Sequence, residues 1–184
     1  MFDLLHIDTL PAVPWKNGGG VTREIARTEQ AGALVWRISV ADVARDGPFS
    51  HFAGLMRCLT VIHGAGIDLQ SPHGTLRARP GAPVRFFGDM PVNGCLIDGP
   101  IRDLNVIFDP SRIRADVVRI CGKGPTGPIP ARVGTDLTGV LVLAGHITVD
   151  RVTLPPGTFA LGTIGTIDPG ADGEGLIVTL RTLA

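Results

Sequence analysis

Leu59-Thr60-Val61-Ile62-His63-Gly64-Ala65-Gly66-Ile67-Asp68-Leu69 reads as an apolar strand, a glycine turn and a second strand. It is followed by Pro80-Gly81-Ala82-Pro83-Val84-Arg85-Phe86, a Pro-Gly turn opening a further apolar strand. The same order recurs downstream: Val140-Leu141-Val142-Leu143-Ala144-Gly145-His146-Ile147-Thr148-Val149, then Pro156-Gly157-Thr158-Phe159-Ala160. Short apolar runs punctuated by Gly and Pro, with period two more common than period 3.6, mark strands rather than helices. Two antiparallel sandwich or jelly-roll units in tandem produce this order. The expected fold is therefore all-β and made of two double-stranded β-helix halves with little helix, the best place for a helical turn being 42–46. The expected division is 1–121 as a first half carrying the site, 122–130 as a Gly- and Pro-rich linker, and 131–184 as a mainly structural second half.

Composition narrows the function. The 184 residues include 17 Lys plus Arg and 17 Asp plus Glu, so the formal charge is zero. That excludes an electrostatic nucleic-acid binder, which needs cations gathered on one face. With 44% apolar and 18% charged residues the chain can bury a core and is not disordered. No apolar run reaches the ~18 residues of a membrane span, and the N-terminal residues lack the pattern of a signal peptide. Cys58, Cys95 and Cys121 are widely spaced without a C-x-x-C, so neither a zinc ribbon nor a disulfide framework is expected, and all three read as core filling. A reduced cytoplasmic protein is the expectation.

Two strands carry polar groups on one face. In Trp36-Arg37-Ile38-Ser39-Val40 the polar residues are Arg37 and Ser39; in Asp103-Leu104-Asn105-Val106-Ile107-Phe108 they are Asp103 and Asn105. A third segment, Pro14-Trp15-Lys16-Asn17-Gly18-Gly19-Gly20-Val21-Thr22-Arg23-Glu24-Ile25, has three consecutive glycines. These can turn backbone N–H groups toward one point and make a concavity for a carboxylate or phosphate, to which Lys16 and Asn17 add a charge and a donor. They can equally form a loop or bulge with no ligand. The spacing matches neither a P-loop nor a dinucleotide fingerprint.

The run Trp15-Lys16-Asn17-Gly18-Gly19-Gly20-x-Thr22-Arg23-Glu24-Ile25 resembles the signature of the HutD/Ves family. The likeness continues through Trp36-Arg37-x-Ser39-x-Ala41, through Gly47-Pro48-Phe49-Ser50-x-Phe52-x-Gly54-x-x-Arg57, and through Gly99-Pro100-x-Arg102-Asp103-Leu104-Asn105-Val106. The resemblance implies a double cupin and a role linked to histidine utilisation or its control, without naming a reaction. Many cupins hold a metal through an H-x-H pair, a carboxylate and a later His. His6, His51, His63, His73 and His146 include no H-x-H, so no metal or other cofactor is expected. There is no G-x-S-x-G elbow for a serine hydrolase.

What remains is a polar constellation of Lys16, Asn17, Gly18, Gly19, Thr22, Glu24, Arg37, Ser39, Ser50, Arg57, Asp103 and Asn105. Arg suits a carboxylate, while Asp and Asn suit an amide, amidine or imidazole. The leading expectation is a metal-independent binder of a small polar anion such as urocanate or formiminoglutamate, acting as a sensor or flux-limiting factor. The alternatives are a hydrolase, isomerase or lyase using Asp103 or His51 as acid or base, and an interaction module whose open sheet edges pair into a homodimer.

Overall fold

The computed structural model describes residues 1–122, 129–130 and 136–183. The chain is all-β, and its compact units are Leu10–Ile113 and a second made of Met1–Thr9 with Arg114–Ala184.

In the first unit, a six-stranded antiparallel sheet runs β2 (Ala12–Pro14), β3 (Gly20–Gln30), β4 (Ala33–Val43), β11 (Ile101–Phe108), β6 (Met56–His63), β9 (Val84–Phe87). A four-stranded sheet runs β5 (Gly47–Pro48), β10 (Asn93–Leu96), β7 (Ile67–Ser71), β8 (Gly74–Ala78). Leu59, Val61 and Phe86 of the larger sheet pack against Ile67, Leu69 and Ala78 of the smaller one. The turn that carries the chain between them needs its glycine. Gly64 has φ 91°, and a Cβ there would lie 2.6 Å from Pro100 O.

In the second unit, a five-stranded sheet runs β1 (Phe2–His6), β17 (Thr158–Gly162), β14 (Leu137–Ala144), β19 (Glu174–Thr182), β12 (Ile113–Cys121). Its four-stranded sheet runs β13 (Ile129–Pro130), β18 (Thr166–Asp168), β15 (Ile147–Val149), β16 (Val152–Leu154). Val140, Val142 and Ala160 meet Ile147, Val149 and Ile167 in its core. The strand order β4-β11-β6-β9 is repeated as β12-β19-β14-β17, and β5-β10-β7-β8 as β13-β18-β15-β16. The two stretches that announced a repeat are thus topologically equivalent.

The division differs from the expected one. It falls between Ile113 and Arg114, at the start of β12, because that strand joins β19 rather than closing the first unit. The first nine residues belong with the C-terminal unit, since β1 pairs with β17 from Phe2↔Gly162 to His6↔Thr158. Of the expected linker, 123–128 lies outside the described residues, while Ile129 and Pro130 form β13 against β18. Residues 42–46 are not helical either. Asp42 and Val43 complete β4, paired with Val21 and Gly20, and the helical turn among the described residues is a 3-10 turn at Ile7–Thr9. No helix among the described residues is long and apolar enough to cross a membrane. Only Cys58 fills core; Cys95 is half-buried and Cys121 exposed.

Candidate functional site

Pleating decides which side chains meet. On β11, Asp103, Asn105 and Ile107 share one face while Leu104 and Val106, both fully buried, share the other. Register then aligns the first face with its neighbours. Asp103 pairs with Ala41, Asn105 with Ser39 and Ile107 with Arg37 on β4, and Ile107 with Arg57 on β6. Across the next interface Thr22 and Glu24 of β3 stand opposite Ala41 and Ser39. Cross-strand neighbours on one face lie within contact distance, so residues far apart in sequence form a continuous polar floor.

That floor belongs to a cavity of about 470 Å³. Thr22, Glu24, Arg37, Ser39, Ser50, Arg57, Asp103 and Asn105 all line it. Its walls are apolar. Trp15 and Phe49 meet edge to face with centroids 6.3 Å apart, and Phe52 and Ile107 add further surface. Trp15 is held upright by its Nε1, which donates to Thr22 Oγ1 at 2.8 Å.

Arg57 is only 5% exposed. It donates from Nη1 to Ser50 O at 3.2 Å and from Nη2 to Asn105 Oδ1 at 3.0 Å. Its Cζ lies 5.1 Å from the ring centres of Phe49 and Phe86 and 5.4 Å from that of Phe52. Three ring faces stabilise a cation that has lost most of its water. Burial nevertheless pushes the guanidinium down to about 10, with Arg37 adding to the shift and Asp103 opposing it. Asp103 is fully buried and its Oδ1 accepts from Asn105 Nδ2. Burial pushes this carboxyl up to about 7; Arg57 and the Asn105 amide oppose the shift, and Asp42 adds to it. Asp103 Oδ2 and Arg57 Nε are buried with no hydrogen-bond partner.

Arg37 is nearer the mouth, with 23% of its side chain exposed and its Nε 3.2 Å from Glu24 Oε2. The structure therefore combines a partly exposed guanidinium nearer the mouth with a buried guanidinium and a buried carboxyl bridged by Asn105 at the floor. This arrangement can bind a small molecule that carries a charge at one end and a hydrogen-bonding group at the other.

The glycine turn sits elsewhere. Lys16, Asn17, Gly18 and Gly19 do not line the cavity. Gly18 N donates to Trp15 O at 3.0 Å and Gly19 N to Asn17 Oδ1 at 2.9 Å, so these N–H groups are occupied within the turn. Gly18 O in turn accepts from Arg45 Nη2 at 2.8 Å, and Gly19 O from Ala44 N at 2.9 Å. The turn is built for close approach: a Cβ on Gly20 would stand 2.3 Å from Asp42 O. Its effect on the cavity is to deliver Trp15 to the wall.

Sequence reasoning missed the aromatic wall. Trp15, Phe49 and Phe52 lay inside the motifs that supplied the polar residues, and a buried arginine's need for ring faces was the signal that could have found them. His51 lies in a separate open groove with Gln70 and Met90, away from the floor. Among the described residues no three His, Cys, Asp or Glu side chains converge as metal ligands would. Cys58 stands next to Arg57 in sequence but points to the opposite face of β6, where it is fully buried.

A HutD family model matches residues 8–168. Over 120 residues the chain is 40% identical to a 21.2 kDa protein of the hutC 3′ region of Pseudomonas putida, an alignment covering 61% of this chain and 60% of that protein. Over 118 residues it is 34% identical to protein Ves of Citrobacter koseri, covering 62% of each. The chain thus matches about three fifths of the length of these curated relatives. The structure of HutD from Pseudomonas fluorescens SBW25 is similar over 100% of both chains, with a TM-score of 0.86 and 30% identity.

Proposed function

The chain belongs to the HutD family, and we propose that its cavity binds a small carboxylate-bearing metabolite of histidine utilisation, making the protein a sensor or flux-limiting factor rather than a catalyst. The observation that carries this reading is the convergence of Arg37, Arg57, Asp103 and Asn105 in one apolar-walled cavity. A guanidinium at the mouth recognises a carboxylate geometrically, and apolar walls strengthen that attraction by excluding water. The link to histidine utilisation is supported by the name of the Pseudomonas putida relative, which places it beside hutC. Urocanate and formiminoglutamate both combine carboxylate with nitrogen groups and are the expected ligands.

Calorimetry with each compound, in the presence of a chelator, tests the reading. Saturable binding that Arg37→Ala weakens supports it, and no heat from either compound rejects it.

A second reading is favoured by one observation. The Asp103 carboxyl, pushed up to about 7, has the proton affinity of a general acid or base working near neutrality. Following each compound for product formation decides between the two: turnover lost in Asp103→Asn makes the protein an enzyme, and intact compound after prolonged incubation leaves it a binder.

A further inference from the structure

The floor of the cavity is already largely self-satisfied, and what it leaves over defines the ligand. Both terminal nitrogens of Arg57 donate to protein oxygens. Asn105 uses its oxygen for Arg57 and its nitrogen for Asp103. The groups left without a partner are the acceptor Oδ2 of Asp103, on a side chain with no solvent exposure at all, and the donor Nε of Arg57, a pair that an N–H group with an adjacent acceptor matches. An acceptor buried this deeply and left unpaired carries a substantial desolvation cost, which a donor arriving with the ligand removes.

We infer that the ligand enters with an N–H donor group foremost, placing it on Asp103 Oδ2, and leaves its carboxylate outward at Arg37. This rests on the reading of the cavity as a metabolite site and fixes which end of the ligand lies inward.

Charge favours the same orientation. Arg57 and Asp103 neutralise each other at the floor, so a carboxylate driven inward gains no net positive partner and meets the Asp103 anion. Arg37 has as its ion-pair partner Glu24, whose side chain is 40% exposed. A donor at Oδ2 stabilises the ionised form of a carboxyl that burial has pushed up, so the two halves of the contact reinforce each other. The chemical class selected is a carboxylate bearing an imidazole, amide or amidine N–H at its far end.

The test compares ligands matched in shape but not in donors, at pH 8 where imidazole is neutral. One set is urocanate with its two ring-N-methyl isomers; the other is formiminoglutamate with 2-allylglutarate, its carbon isostere. Affinities are measured for the wild-type protein and for Asp103→Asn, with Asp103→Ser as a second variant should the first not fold. The expected result is that the N–H compound of a set binds at least about tenfold more tightly to the wild type, and that the ratio falls below about threefold in the variant. Loss of the preference in the variant separates the missing donor from the added bulk of a methyl group. Equal or reversed affinities within both sets overturn the inference while leaving the cavity an anion site, as does a preference that survives in the variant. If no compound of either set binds, the metabolite reading itself fails.

Discussion

Arg57 donates from Nη2 to Oδ1 of Asn105 at 3.0 Å, joining a nearly buried cation on β6 to an amide on the adjacent strand β11. The other end of that amide donates to Asp103, so one asparagine bridges a buried guanidinium and a buried carboxyl. Neither charge can be removed without consequence for the other.

Asn105→Ala strands Arg57 Nη2 and Asp103 Oδ1 together. The expected cost is about 2–4 kcal/mol, because two buried charged groups each lose a partner. Urea denaturation with an unchanged m value checks this, and a loss under ~0.5 kcal/mol would show that the network does not hold the floor.

Asp103 makes stability depend on pH in an unusual direction for a carboxylate. Its folded value of about 7 lies above the ordinary 3.8, so between these values the native state holds the proton more tightly. The contribution of this group is therefore full below about 4 and falls as pH rises toward about 7. The charged groups around it are Arg57 on β6, Arg37 and Asp42 on β4, and Glu24 on β3. Burial pushes Asp42 up, but bonds from Arg102 and Arg23 outweigh this and hold it below its usual range, so its contribution runs the opposite way and is lost in acid. The difference between Asp103→Asn and wild type isolates the first effect. Between pH 5 and 8 the variant should gain at least about 1 kcal/mol on the wild type, and a constant difference across that range refutes the assignment.

Arg37→Ala and Arg57→Ala should separate in stability. Arg37 is partly exposed and paired with an exposed Glu24, so its removal costs about 0–1 kcal/mol. Arg57→Ala removes a cation packed among three rings and leaves the buried Asp103 without its opposing charge, costing about 3–5 kcal/mol. Parallel thermal melts check the contrast, and similar shifts in the two variants would contradict it.

Gly20→Ala tests the link between the glycine turn and the cavity wall. A methyl group 2.3 Å from Asp42 O forces β3 and β4 apart beside Trp15, whose Cζ3 would be 3.2 Å away. The expected loss is about 1–3 kcal/mol, with an altered tryptophan emission spectrum. Wild-type fluorescence in a destabilised variant would show that the turn does not position the indole.

Much of this was legible before any coordinates. The alternation in 103–108 put Asp103 and Asn105 on one face, and the face is where the register places them. The run of 59–69 announced β6 and β7, and its counterpart at 140–149 announced β14 and β15. The glycines 18–20 misled because φ freedom alone says that a backbone can curl but not where its N–H groups end; here Trp15 O and Asn17 Oδ1 take them. The division of the chain was misplaced because the pairing of β1 with β17 is a contact across more than 150 residues that no local pattern announces.

The sequence by itself determined the strand pattern, the repeated order of turns and the facing of the polar side chains in 36–40 and 103–108, because pleat period and glycine turns are local properties of the chain. Only the tertiary structure decided that Arg57 spends its donors on Ser50 and Asn105, that three phenylalanine rings surround it, and that Asp103 keeps an oxygen without a partner. Those outcomes depend on strand register and on burial, which arise from contacts between distant segments and which set both the charge on a carboxyl and the atoms left for a ligand.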